Sequence, residues 1–322
     1  MRVVVTGATG FIGSELMRAL AADPGLDVRG TVRARSPRDP VTQTLIAVGD
    51  LSRDTDWRPA LTGADAVVHT AGRVHVMDAS DGDPIANYRT TNVDSTLQLA
   101  RQAIAASVRR LLFLSSIKVN GESTPLNRPF RVGDSPKPNG AYAVSKAEAE
   151  AGLRQIGKET GLEIVIIRPV LVYGPGVRAN FLSMMRWIER GVPFPFGLVH
   201  NARSLVALDN LVDLIRVCLR HPAAAGETFL VSDGEDLSTP DLIRRTGDAM
   251  GRRTRLMPVP VSILRSVAKI VGKPEVGERL CGSLRVDIEG TKSLLGWTPP
   301  ISVDHALAKT VRCFLNGNAY GR

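Results

Sequence analysis

Aromatic residues supply only 5% of this 322-residue chain, cysteine occurs three times and histidine five. Cys218, Cys281 and Cys313 are far apart and odd in number, so no disulfide framework follows. No cysteine stands at metal-ligand spacing from another or from a histidine. His69, His75, His200, His221 and His305 form no HxH or HxxxH pair, so no metal site is expected. Long apolar runs are missing too: the stretch from Ile164 to Tyr173 is broken by Arg168 and Pro169, too early to span a bilayer. The opening MRVVVTGATGFIG is cut by glycines and lacks a small-residue cleavage site, so it does not read as a signal peptide. A reducing cytoplasm is the expected compartment.

Acidic residues are the minority charge, 32 against 41 basic ones, eight of them lysine, giving a net charge of +9 and a pI near 9.9. Such a surplus suits nucleic acid, an acidic membrane surface, a small anionic ligand, or merely a solvated surface. The sequence carries no nucleic-acid module, basic amphipathic helix or basic–aromatic patch, which removes the first two. With 43% hydrophobic and 23% charged residues, the chain is rich enough in apolar side chains to exclude disorder.

The first half alternates short apolar, β-branched runs with longer helical stretches. Strands are predicted at Arg2–Thr6, Asp27–Val32, Thr44–Val48, Ala66–Thr70, Arg110–Ser115 and Glu163–Arg168. Helices are predicted at Phe11–Ala22, roughly Ile85–Ser107, and Ala141–Thr160. This alternation predicts an α/β fold with a doubly wound parallel sheet. After Arg168 proline and glycine cluster, and helical patterns dominate from Asp209. The expected division is a dinucleotide-binding domain over residues 1–172, revisited around 203–233, and a smaller, mostly helical substrate lobe over 173–322.

The sharpest motif is Gly7-Ala-Thr-Gly10-Phe-Ile-Gly13, between the first predicted strand and the first helix. Gly7 permits a tight turn, Gly10 lets the backbone approach a pyrophosphate, and Gly13 allows close packing of helix on sheet. An acidic residue at the end of the second strand would hold the ribose hydroxyls of NAD. Here Thr31-Val-Arg33-Ala-Arg35 stands instead, with no carboxylate before Asp39. Forked arginine donors suit a 2′-phosphate, so NADP(H) is favoured over NAD. Asp50 is placed to meet the adenine amino group, and Ala71-Gly72 to let backbone approach the cofactor.

Tyr142 and Lys146, at i and i+4, share one face of a predicted helix. There the lysine cation would lower the phenol pKa and make Tyr142 a usable acid/base. A third hydroxyl is supplied by Ser115-Ser116 at the end of the fifth strand, where open α/β sheets bind ligands.

Together these residues resemble the extended short-chain dehydrogenase/reductase family, in its nucleotide-sugar epimerase/dehydratase group. The resemblance is carried by Thr6-Gly-Ala-Thr-Gly-Phe-Ile-Gly13, Asp50-Leu51, Asn92, Ser115-Ser116, Tyr142, Lys146, Arg168-Pro169, Tyr173-Gly-Pro-Gly176 and Leu294-Leu-Gly-Trp-Thr-Pro-Pro300. It implies Tyr142 as general acid/base, Lys146 as its activator and Ser116 as hydrogen-bonding partner. For the cofactor it implies Gly7, Thr9, Gly10, Phe11, Ile12, Gly13, Asp50, Leu51, Ala71, Gly72, Asn92, Ser115, Pro169 and Val172; Arg33 and Arg35 join them from the sequence itself, as a departure from the acidic residue of the group's NAD-retaining 4-epimerases. For a UDP-sugar substrate it implies Lys118, Asn180 and Arg203, and it makes a homodimer plausible.

Ile117-Lys118 stand where dehydratases of the group carry Asp-Glu, which argues against elimination of water. The leading expectation is therefore an NADP(H)-dependent reductase of a UDP-4-keto-6-deoxy-N-acetylhexosamine, serving surface-polysaccharide sugar synthesis. Arg33 tips the balance that way, because a reductase must exchange its cofactor at each turnover. The alternative is a UDP-glucose or UDP-N-acetylglucosamine 4-epimerase that retains NAD. A non-sugar carbonyl reductase and a non-catalytic nucleotide-binding protein on the same fold complete the set.

Overall fold

The computed structural model describes residues 1–34, 44–74, 84–272 and 274–317. The first part of the chain runs β1 (Arg2–Thr6), α1 (Phe11–Ala21), β2 (Asp27–Val32), β3 (Leu45–Ala47), α2 (Arg58–Leu61), β4 (Ala66–His69), α3 (Pro84–Arg89), α4 (Ser95–Ala105), β5 (Arg110–Leu114), α5 (Ala141–Thr160) and β6 (Glu163–Pro169). The second part runs β7 (Leu171–Tyr173), α6 (Ala179–Glu189), β8 (Arg203–Ala207), α7 (Leu208–Arg220), β9 (Thr228–Val231), β10 (Asp236–Leu237), α8 (Thr239–Ala249), α9 (Val261–Ile270), α10 (Pro274–Cys281), α11 (Glu289–Leu295) and α12 (Val303–Leu315).

Seven strands form one sheet in the order β3-β2-β1-β4-β5-β6-β9, and every pair in it is parallel. The order reverses between β1 and β4, the crevice where doubly wound sheets bind dinucleotides. A second sheet, β10-β8-β7, carries the chain from the first sheet into the C-terminal helices.

Strand alternation builds two cores. Val3, Val5, Val68, Leu112 and Val165 point to one face and pack with Leu16 and Leu20 of α1 and Leu211, Leu214 and Ile215 of α7. Val4, Val67, Leu111, Phe113 and Ile166 point to the other, against Leu99 and Ala103 of α4 and Leu153 of α5. Each fully buried leucine stabilises the fold by about 1.5–3 kcal/mol. A third core lies among Tyr173, Phe181, Met185, Ile243, Leu307 and Val311. Among the described residues no helix is long and apolar enough to cross a membrane.

The helix predicted over 85–107 is not uniform. Between α3 and α4, residues Thr90–Asp94 form a wide π turn, and Asn92 lies inside it, buried. Single π turns within α-helices are frequent at functional sites.

Candidate active site

The glycine turn after β1 is built from close backbone approaches. Gly7 has φ +67°, and a Cβ there would lie 2.9 Å from the backbone of Ala71. At Gly13 a Cβ would meet the Gly7 carbonyl oxygen at 2.1 Å, so only glycine fits without displacement. Helix α1 starts at Phe11 with no side-chain cap and no acidic residue in its first turn, leaving N–H donors free for an anion. Thr9 and Gly10 are exposed there, and Phe11 and Ile12 half-buried. Backbone donors, glycine-limited space and an acid-free helix start fit a dinucleotide pyrophosphate.

Thr6, at the end of β1, accepts a hydrogen bond from the Ala71 N–H at 3.2 Å and pairs with His69 Nδ1 at 2.7 Å. Asn92 then clamps the next residue: its Oδ1 accepts from Arg73 N–H (2.8 Å), and its Nδ2 donates to the Arg73 carbonyl (3.1 Å) and to Ser145 Oγ (3.0 Å). Asn92 thus works on protein backbone, tying the loop after β4 to the helix that carries Lys146.

On α5, Tyr142 and Lys146 do share one face, and Ser116 reaches them from the end of β5. Ser116 lies near enough to the Tyr142 phenol to favour its ionised form, and Ser116 Oγ accepts from the Lys118 N–H at 3.2 Å. Lys146 Nζ donates to the Leu114 carbonyl at 2.9 Å and lies 4.4 Å from the centroid of the Phe113 ring. A Cβ on Gly72 would stand 3.4 Å from Lys146 Nζ and 3.1 Å from Asn92 Oδ1, so these three line one space.

One electrostatic expectation is corrected. Burial pushes the Tyr142 phenol up to about 12, opposed by Ser116 and reinforced by Tyr88, whose ring centroid is 6.1 Å away. Lys146 does not pull it down here; its ammonium is engaged with Leu114 and is itself pushed down to about 8 by burial, with Glu150 opposing. The phenol of the protein alone therefore holds its proton through the neutral range.

The NADP signal also changes. Pairing of β2 with β3 brings the Gly49 N–H to the Arg33 carbonyl at 3.1 Å, and Asp50 Oδ1 then lies 3.4 Å from Arg33 Nε. A carboxylate absent from this point in sequence is thus present in space, as a solvent-exposed partner of Arg33 with which a 2′-phosphate would compete. Asp50 thus meets Arg33; among the described residues nothing in its contacts bears on the adenine role expected of it. Both side chains are more than four-fifths exposed. Arg35 lies outside the described residues.

Of the remaining expected cofactor residues, Ala71 and Val172 are half-buried, Pro169 is buried, and Leu51 packs against the core under α4. Ser115 turns away from the cleft, donating to Glu150 Oε1 at 2.6 Å. On the substrate side, Lys118 is paired with Glu122 at 2.9 Å. Arg203 spends Nη1 on the carbonyls of Arg279 (2.9 Å) and Gly282 (3.1 Å); burial and Arg279 lower its pKa, and Glu122 opposes them. Asn180 is exposed at the start of α6, just after Ala179, which has φ +53°.

Sequence reasoning missed a buried group behind the cluster. Glu150 accepts from Ser115, from Arg168 through both Nε (2.8 Å) and Nη2 (2.5 Å), and from Arg154 (3.1 Å). Its signal was available: Tyr142, Lys146 and Glu150 are spaced at i, i+4 and i+8 on α5. His69, held between Thr6 and Thr96, was equally overlooked.

This sheet order, glycine turn and Ser–Tyr–Lys cluster define a dinucleotide-binding protein of the extended short-chain dehydrogenase/reductase class. A model of the NAD dependent epimerase/dehydratase family matches residues 3–232, and the chain belongs to that family. It is 43% identical over 317 residues to a UDP-glucose 4-epimerase of Vibrio cholerae, covering 98% of this chain and 96% of that protein. It is 26% identical to an N-acetyl-alpha-D-glucosaminyl-diphospho-ditrans,octacis-undecaprenol 4-epimerase of Escherichia coli O157:H7, over 96% and 94% of the two chains. The crystal structure of a UDP-glucuronic acid 4-epimerase from Bacillus cereus superposes with a TM-score of 0.79 at 21% identity, covering 98% of this chain and 99% of that one.

Proposed function

We propose that the protein is a 4-epimerase of a UDP-hexose that retains NAD through its catalytic cycle. The observation that carries this is the 43% identity to the Vibrio cholerae UDP-glucose 4-epimerase across 98% of the chain. The competing reductase reading rested on Arg33 as a donor to a 2′-phosphate, and the exposed Asp50 carboxylate 3.4 Å from that guanidinium weakens that signal.

In this reading the glycine turn and Gly72 receive the dinucleotide within residues 1–172 and 203–233, and the remainder of 173–322 receives the UDP-sugar. Arg203 and Lys118, both linked to Glu122, face the diphosphate side, with Asn180 at the mouth of α6. NAD, held at the glycine turn and Gly72, would supply the hydride acceptor and donor that C4 epimerisation needs. Tyr142, once ionised in the loaded site, takes the C4 hydroxyl proton as the carbonyl forms and gives it back as the carbonyl is reduced. Ser116 holds the phenol in place, and the Lys146 ammonium stabilises it when ionised. Because the hydride returns to C4 and the proton to its oxygen, the cycle closes with no net redox change.

The test is incubation of the purified protein with UDP-glucose or UDP-N-acetylglucosamine without added dinucleotide, the products being resolved by NMR. The C4 epimer should accumulate. Tyr142→Phe should slow this by about 10²- to 10⁴-fold, the usual reach of general acid–base catalysis, while the protein keeps its dinucleotide. No epimer, together with NADPH oxidation on a UDP-4-keto sugar, would restore the reductase.

A further inference from the structure

We propose that Glu150 is a positioning residue of this active site, its buried carboxylate fixing the Leu114–Ser116 strand end and supplying the negative charge that faces Lys146. The proposal rests on the catalytic reading of Tyr142 and Lys146 given above.

Three side chains spaced four apart on α5 grip three successive residues at the end of β5. Tyr142 meets Ser116, Lys146 donates to the Leu114 carbonyl at 2.9 Å, and Glu150 accepts from Ser115 Oγ at 2.6 Å. The middle residue is also held on its other side, where its N–H donates to the Ile167 carbonyl at 2.8 Å. Ser116 therefore sits between two anchored neighbours, and the placement of its hydroxyl against Tyr142 depends on both.

Glu150 is itself over-determined. Arg168, at the end of β6, holds both carboxylate oxygens and passes its third donor, Nη1, to Asn120 Oδ1 at 2.9 Å. Glu150 and Arg168 are buried to 1% and 2% side-chain exposure. A solvated acid at this spacing would be an ordinary helix partner. A fully buried one with four hydrogen bonds, two of them from a buried guanidinium, has its geometry set from two strands at once.

Among the described residues, the charges facing Lys146 are few. From β4 comes His69, whose ring is kept neutral by burial. From its own helix come Tyr142 and Glu150, and behind Glu150 stand Arg168 and Arg154. Glu150 opposes the downward pull of burial on Lys146. Replacing it with glutamine leaves Arg168 unneutralised beside the ammonium, so Lys146 should lose its proton at lower pH.

The test labels the protein with ε-¹³C-lysine and follows Lys146 by NMR through a pH titration, assigning its resonance with Lys146→Arg. Glu150→Gln should lower the Lys146 midpoint by about one pH unit or more, and Glu150→Asp, which keeps the charge, should leave it nearly in place. The alkaline limb of kcat should move with the midpoint, so that kcat at pH 8.5 relative to pH 6.5 falls by about sixfold in the glutamine variant. An unmoved midpoint, with activity lost equally at all pH values, would reduce Glu150 to a packing element and overturn the proposal. Should Glu150→Gln fail to fold, Ser115→Ala cuts only the link to the strand. It should lower kcat about fivefold with KM and bound dinucleotide unchanged, and an unchanged kcat overturns the proposal. The NMR titration requires no sugar nucleotide. A moved midpoint in a protein that forms no epimer therefore sinks the substrate assignment alone.

Discussion

Adding one carbon at Gly13 should damage both the fold and the cofactor turn. The Cβ of Gly13→Ala would stand 2.1 Å from the Gly7 carbonyl oxygen, 2.9 Å from its carbon and 3.1 Å from Thr70 Oγ1. A carbon rests against a carbonyl oxygen at about 3.3 Å or more, so α1 and the turn must separate by roughly 1 Å. Separation is resisted by the Gly10 N–H bond to the Gly7 carbonyl (2.9 Å) and by Leu16 and Leu20, which are fully buried. Overpacking of this size costs about 1–3 kcal/mol. The same movement withdraws the first N–H groups of α1, and a loss of about 1.4 kcal/mol there lowers dinucleotide affinity tenfold. Urea midpoints with and without added NAD, together with the dinucleotide content of the purified protein, measure both effects. For the fold alone, Gly10→Ala is the internal control, because its Cβ comes no closer than 3.2 Å to the same oxygen and the urea midpoint should fall much less. Gly290→Ala, in α11 with nothing within 4 Å, should stabilise by about 0.4–1 kcal/mol through the unfolded chain. A Gly13→Ala protein with unchanged midpoint and unchanged NAD content would refute the reasoning.

Two further predictions follow from buried and exposed charge. The His69 ring is pushed down to about 3, chiefly by burial and then by Lys146, so the unfolded chain takes up a proton near pH 6.5 that the folded one refuses. Stability present above pH 6.5 is then lost on acidification, by about 1.4 kcal/mol per unit until about pH 3. Urea midpoints between pH 7 and 5 should fall more steeply for the wild type than for His69→Gln, and parallel slopes would clear His69 of the effect. At the cofactor, the dinucleotide released on denaturing the purified protein should be NAD. Asp50→Asn, which frees Arg33, should raise the NADP-to-NAD affinity ratio by about two- to fivefold, the modest scale of an exposed ion pair. An unchanged ratio would show that Asp50 does not restrain Arg33.

The parallel sheet was legible because its strands are buried on both faces and read as apolar runs between helical stretches. The glycine turn and the Tyr142–Lys146 pair were legible because each is a local spacing with a fixed geometric meaning. What stayed hidden was brought together by the sheet. Asp50 follows β3 and Arg33 follows β2; only the pairing of those strands sets a carboxylate beside the guanidinium. Glu150 reads as a routine helix-surface acid until β5 and β6 deliver Ser115 and Arg168 to it. The π turn at Asn92 left no mark, since one extra residue in a helical turn alters the phase of the pattern without breaking it. Burial raised Tyr142 above the ordinary phenol value, an effect of tertiary packing that no pairwise spacing on a helix expresses.

The pairing of β9 with β6 has a consequence for how the protein comes into being. Residues 228–231 close the last edge of the main sheet, and α7 lies against α1 in the same core that holds Trp297. When residues 1–172 leave the ribosome, the sheet they can form ends at β6 with its outer backbone groups unpaired, and Leu16 and Leu20 lack part of their cover. A chain cut between residues 172 and 173 would therefore expose an adhesive strand edge and an apolar helix face together. The main sheet is completed only once residue 231 has been made, so closure of its last edge waits for some sixty residues beyond β6.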